Sequence, residues 1–132
     1  MNMNTNTNMA NLFEGLDHIG IKTLEMGKAI AFYTEVLGFT LVNRIKPGNV
    51  ELVFMKLGDL VVELVEVNDG SFYSDGVVNH IALRVSDIFK AVEHIKRHQV
   101  ECISVEPMNI GPKRYNFFFR GPSGEKIELL QG

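Results

Sequence analysis

The 132-residue chain has one cysteine, Cys102, so it can form no internal disulfide and no thiolate-based structural zinc site. No apolar run approaches the ~20 residues that a membrane span needs. Charge of one sign never accumulates: 13 Lys and Arg stand against 16 Asp and Glu, for a formal net charge of −3. That balance argues against a nucleic-acid or membrane surface as the main partner. The N-terminus lacks the charged and apolar regions of a signal peptide, and the expected setting is cytoplasmic. What is abundant is apolar: 45% of residues are hydrophobic, which excludes a disordered chain. A chain of this length suits one domain that buries roughly two thirds of its unfolded surface.

Residues 1–13, mostly Asn, Thr and Met, lack periodicity and read as a flexible lead. The remainder, 14–132, reads as a single α+β domain made of two modules. In module one, 14–68, Leu16–Lys22 alternates as a strand. Met26, Ala29, Ile30, Tyr33 and Leu37 then recur at helical spacing, which predicts a helix over 26–36 that stops at Gly38. Strands are expected over 39–45, 51–57 and 60–67, with turns at Pro47-Gly48 and Gly58-Asp59. The polar stretch 68–76 reads as a joint. Module two, 77–132, restarts the pattern. A strand over 77–85 is followed by a helix that Asp87 caps and that runs to about His98, with strands then expected over 101–105, 115–120 and 125–131.

The two modules are copies. A shift of 62 lays His18-Ile19-Gly20-Ile21-Lys22 on His80-Ile81-Ala82-Leu83-Arg84, and Ala29 and Ile30 on Ala91 and Val92. A shift of 65 lays Val62-Glu63-Leu64 on Ile127-Glu128-Leu129. Each unit reads βαβββ, and each must bury a sheet face against another unit. The repeat isolates two pairs, His18 with Glu63 and His80 with Glu128. Each Glu interrupts an apolar strand, where a lone carboxylate is costly unless it is paired or bound to a metal. A single strand histidine is more often a solvent-facing residue than a ligand, and one wet sheet face would alternate in the same way. Repetition of the pair at equivalent positions favours the other reading: two imidazoles and two carboxylates suited to one divalent ion, Zn, Ni, Co, Mn or Fe(II).

These segments resemble the vicinal oxygen chelate superfamily, which includes glyoxalase I. The matching pieces are Leu16–Ile21, Ala31–Phe39, Val62–Leu64, Asn79–Val85 and Gly121–Leu129. The resemblance implies tandem βαβββ modules forming a half-barrel sheet around a metal site, in a homodimer whose sites in some members draw on two chains. It places His18, Glu63, His80 and Glu128 on the four ligand positions of glyoxalase I, with one divalent metal per site. It implies an isomerase of the lactoylglutathione lyase type, acting on the hemithioacetal of a thiol and a 2-oxoaldehyde through an enediolate. Glu63 or Glu128 would act as the catalytic base, and Lys113 and Arg114 would bind a carboxylate of the small-molecule thiol adduct. Two features depart from the pattern: Gly121-Pro122-Ser123-Gly124 replaces Asp-Pro-Asp-Gly, and Val67 stands where a glutathione-contacting Asn is usual. Alternatives within the resemblance are a methylmalonyl-CoA epimerase-like enzyme, a fosfomycin-type thiol transferase, a ring-cleaving dioxygenase and a metal-free drug-binding protein.

Overall fold

The computed structural model describes residues 16–48, 50–66, 75–76 and 78–132. The lead at 1–13, Val67 and most of the joint at 68–76 lie outside the described residues. In chain order the elements are β1 (Ile19–Thr23), α1 (Met26–Ala31) running on as a π-helical turn (Phe32–Val36), β2 (Thr40–Ile45), β3 (Leu52–Leu57), β4 (Leu60–Glu66), β5 (Ile81–Arg84), α2 (Ile88–Lys96), β6 (Glu101–Cys102), β7 (Met108–Gly111), β8 (Arg114–Arg120) and β9 (Lys126–Gln131). They form two sheets, ordered β1-β4-β3-β2 and β5-β9-β8-β6, with β7 also paired to β8. The duplicated βαβββ architecture expected from the sequence is present, and neither sheet closes into a barrel.

The repeat holds at the level of register. Gly20 stands opposite Glu63 in the parallel β1–β4 ladder, as Ala82 stands opposite Glu128 in β5–β9. Phe54 faces Glu63 across β3–β4, as Phe118 faces Glu128 across β8–β9. Gly58 takes φ +58° in the two-residue turn between the paired residues Leu57 and Leu60, a conformation glycine adopts without steric cost. Asp87 caps α2 as expected, its carboxylate accepting from the backbone N–H groups of Phe89 at 3.1 Å and Lys90 at 3.2 Å.

Three local features differ from the sequence expectation. The first helix covers the predicted span but widens to π geometry at Phe32, where the Leu37 N–H reaches back to the Phe32 carbonyl at 3.2 Å. The Thr34 hydroxyl takes the Ile30 carbonyl at 2.8 Å, competing with the backbone for that acceptor. The widened turn leaves the adjacent Phe32 and Tyr33 both buried. The strand expected over 101–105 ends at Cys102, because the N–H groups of Ile103 and Ser104 both converge on the Phe118 carbonyl and Pro107 has no N–H to give. The edge resumes as β7, which alternation alone did not reveal. Finally, β1 and β5 begin at Ile19 and Ile81, so His18 and His80 sit just before their strands.

One core serves both modules. Val53, Met55, Val62 and Leu64 from the first sheet join Phe117, Phe119 and Ile127 from the second and Ile88 from α2, with Tyr33 fully buried among them. α1 packs on β4, while α2 packs on β8 and β9. The rings of Phe32 and Phe119 approach to 6.4 Å, the Tyr33 hydroxyl donates to Glu125 Oε2 at 2.9 Å, and His94 Nε2 lies 2.7 Å from the Val36 carbonyl. The helix-bearing faces of the two sheets thus share the core. By strand alternation, the opposite faces carry Gly20, Phe54 and Glu63 in one module and Ala82, Phe118 and Glu128 in the other.

Candidate metal centre

Each predicted pair forms. His18 Nε2 lies 3.4 Å from Glu63 Oε1, and His80 Nε2 lies 3.2 Å from Glu128 Oε1. The histidine side chains are 35% and 36% exposed and the glutamates 18% and 13%, so each carboxylate is tucked into its sheet while its imidazole borders solvent. Phe54 and Phe118 set their rings edge-on to His18 and His80, at 5.8 and 5.6 Å.

The far nitrogen of each ring is also held. His18 Nδ1 lies 2.7 Å from Asp17 Oδ2, and His80 Nδ1 lies 3.0 Å from Asn79 Oδ1. An ionised Asp17 only accepts, so the Nδ1 proton belongs to His18 and its Nε2 lone pair faces the Glu63 oxygen. Two lone pairs facing across 3.4 Å need positive charge between them, either a proton or a metal ion. The Asp17 hydrogen bond raises the His18 pKa above its ordinary value against the opposing effect of desolvation, with the Glu63 charge adding to the rise. The donor set also fits a metal. Two ligands ~2.1 Å from an ion are about 3.0–3.4 Å apart for right-angle to tetrahedral geometry. A ring whose second nitrogen is fixed by a carboxylate or carbonyl oxygen is the usual support for a metal-bound histidine.

The two pairs stay apart within one chain. Among the described residues, no three His, Cys, Asp or Glu side chains gather to hold an ion. The single hollow holding all four ligands does not form inside one protomer, because each sheet turns its pair away from the shared core. A cleft of about 340 Å³ beside β1 and the approach to β5 is lined by Gly20, Lys22, Asn79, His80 and Lys126, among others, and by neither Glu63 nor Glu128. Lys113 lies in the turn before β8 at φ +56° and is exposed, as is Arg114, which opens β8. Arg114 shares the β8 face of Asn116 and Phe118 by alternation. Among the described residues, neither cation makes a hydrogen bond or ion pair with the four candidate ligands.

Sequence reasoning missed Asp17, Asn79, Phe54, Phe118 and Asn116. The shift of 62 already laid Asp17 on Asn79, so the ring supports were visible as a repeated polar residue before each histidine. Asn116, whose Nδ2 donates to Glu128 Oε2 at 3.1 Å, had no partner in the repeat and no signal of that kind.

Residues 15–129 match the sequence profile of the Glyoxalase/Bleomycin resistance protein/Dioxygenase superfamily. The uncharacterized protein YwbC of Bacillus subtilis is 35% identical over 88% of this chain and 96% of its own. A lactoylglutathione lyase of Neisseria meningitidis is 30% identical over 86% of this chain and 88% of its own. A likeness of fold, at 20% identity and a TM-score of 0.73, links 92% of this chain to 94% of the fosfomycin resistance protein FosX of Listeria monocytogenes in its complex with Mn(II) and sulfate.

Proposed function

This chain belongs to the Glyoxalase/Bleomycin resistance protein/Dioxygenase superfamily, and from that membership we propose that it is a metal-dependent isomerase of the glyoxalase I type. The substrate class is the hemithioacetal of a small thiol and a 2-oxoaldehyde. The observation that carries this reading is the duplicated pair, each imidazole facing a carboxylate at 3.2–3.4 Å with its other nitrogen held from behind. His18, Glu63, His80 and Glu128 would hold one divalent ion per site. Bound there, the ion supplies Lewis acidity to neighbouring substrate oxygens. One of the two carboxylates takes a proton from one carbon and returns it to the next. Lys113 and Arg114, the latter on the β8 face that also carries Asn116, offer cations to the carboxylate of the thiol.

The separation of the pairs supports a site shared by two protomers, the first pair of one copy meeting the second pair of another. Apolar side chains left in water at the sheet edges support the same association: Leu41, Val42 and Ile45 on β2, and Met108 and Ile110 on β7. No helix among the described residues is long and apolar enough to cross a membrane.

Metal analysis and a substrate panel test the proposal. Protein loaded with Ni, Co, Zn or Mn is assayed on methylglyoxal with glutathione or bacillithiol, beside methylmalonyl-CoA and fosfomycin. Turnover of a thiol hemithioacetal is expected, and turnover of either comparison substrate alone would replace this reading. The sharing of sites is tested separately by mixing and refolding His18→Ala with His80→Ala. Each variant alone should hold little metal, whereas random pairing of a two-site dimer restores about a quarter of the intact sites. No recovery would refute the shared site.

A further inference from the structure

Away from the candidate centre, two histidines stand one turn apart at the end of α2. His94 is half-buried and His98 exposed, and their ring centres lie 4.7 Å apart at an interplanar angle of 61°. A spacing of four puts both side chains on one face of the helix end. The His98 N–H closes that turn on the Ile95 carbonyl at 3.1 Å, and Gln99 ends it at φ +57°. His94 Nε2 lies 2.7 Å from the Val36 carbonyl in module one. A carbonyl only accepts, so Nε2 carries the proton and the lone pair of neutral His94 sits on Nδ1. Among the described residues, that Nδ1 and both nitrogens of His98 have no hydrogen-bond partner. Open volume borders each ring, a cavity of about 290 Å³ beside His94 and one of about 540 Å³ beside His98.

We propose that His94 and His98 form a second site for a transition metal ion of the class that favours imidazole: Cu(II), Ni(II) or Zn(II). It does not depend on the metal-dependent reading above. α2 packs on the helix-bearing face of the second sheet, so this site lies across that sheet from His80 and Glu128. Two imidazoles ~2.1 Å from one ion set their ring centres about 4.6–5.3 Å apart for right-angle to tetrahedral geometry. The observed separation falls within that span. The Val36 carbonyl supplies what a metal-bound histidine usually has behind it, an acceptor that fixes tautomer and ring orientation. Carbonyls of a last helical turn carry partial negative charge that favours a cation. Lys96, in the same turn, is drawn off elsewhere, its ammonium donating to the Val105 carbonyl at 2.9 Å. No third His, Cys, Asp or Glu among the described residues joins the pair, so water completes the coordination. Such a site discriminates against oxygen-seeking ions such as Mn(II) and takes Cu(II) most strongly. Because the His94 ring already links α2 to the π-helical turn, an ion on its Nδ1 also clamps module two to module one.

Equilibrium dialysis of the full chain against Cu(II), with copper counted per chain, tests the site. The His18→Ala/His80→Ala protein should still bind one Cu(II), and adding His98→Ala should abolish that binding. On the parent, His98→Ala should remove one Cu(II) per chain. His98 is exposed and makes no hydrogen bond through its side chain, so the variant should keep the metal-free melting temperature of its parent. His94→Ala, which also gives up the Val36 bond, should lose the same copper at some cost in stability. Paramagnetic resonance of Cu(II) in the His18→Ala/His80→Ala protein should show coupling to two nitrogens, and Cu(II) should raise its melting temperature only while His98 is present. If that double variant does not fold, the parent compared with His98→Ala carries the test. Copper binding that His98→Ala leaves unchanged, or coupling to a single nitrogen, would overturn the site. A parent whose copper is lost only with His18 and His80 would remove this site and keep the first centre. A parent whose copper is lost entirely with His98 would do the reverse.

Discussion

Replacing Tyr33 by Phe removes a single oxygen from the joint between the modules, and its cost should depend on pH. Tyr33 is fully buried, and its hydroxyl donates to Glu125 Oε2 at 2.9 Å; the Ser123 N–H holds the other oxygen at 2.8 Å. Burial and the neighbouring Glu125 charge push the Tyr33 pKa well above its ordinary value, so it remains a donor at every pH of interest. Burial also raises the Glu125 pKa above the usual carboxylate range, with the bonds from Tyr33 and Ser123 opposing the rise. Glu125 therefore binds its proton more tightly in the folded chain than in the unfolded one. The stability this contributes is complete below the ordinary pKa of 4.5 and is lost as pH rises through the folded value. Without Tyr33 the folded pKa climbs further and the loss grows.

At pH 7 the deleted bond goes to a charged, largely buried acceptor, a contribution of about 2 kcal/mol. For a chain of this size that lowers the melting temperature by roughly 6–10 °C. At pH 4, with Glu125 protonated, the deletion should cost about 1 kcal/mol, the value of a neutral hydrogen bond. Urea melts of metal-free parent and Tyr33→Phe protein at both pH values measure the difference. A cost that is equal at the two pH values, or larger in acid, would refute the coupling of this hydroxyl to the Glu125 charge.

Two further outcomes are expected. A methyl at Gly121 would overlap the Glu125 carboxyl carbon, so Gly121→Ala should destabilise by about 1–3 kcal/mol; adding Glu125→Ala should relieve part of this, and strict additivity in thermal melts would show that the overlap is not the cause. Because a metal must displace the proton from His18, whose pKa the Asp17 bond raises, Zn(II) affinity should begin to fall at a pH above the ordinary histidine value of 6.5 as the solution is acidified. Asp17→Asn should move that fall to lower pH, and an unchanged titration profile would separate Asp17 from metal binding.

The chain's own order determined the duplicated module, the two faces of each strand and the pairing of each histidine with its glutamate. Those features depend on local periods, and a period of two with a 62-residue repeat is written directly in the residues. The π-helical turn escaped that reading because it arises from the Thr34 hydroxyl competing for one carbonyl, and the broken edge at β6 and β7 because two amides share the Phe118 oxygen. Alternation says which side chains share a face but not what that face meets. The tertiary structure decided that the helix-bearing faces of both sheets are spent on one common core, joined by Tyr33 and Glu125, which leaves His18–Glu63 and His80–Glu128 as separate pairs on the opposite faces. It also decided that Asn116 lies against Glu128 while Leu52 lies in the matching place, a difference that exists only once neighbouring strands are in register.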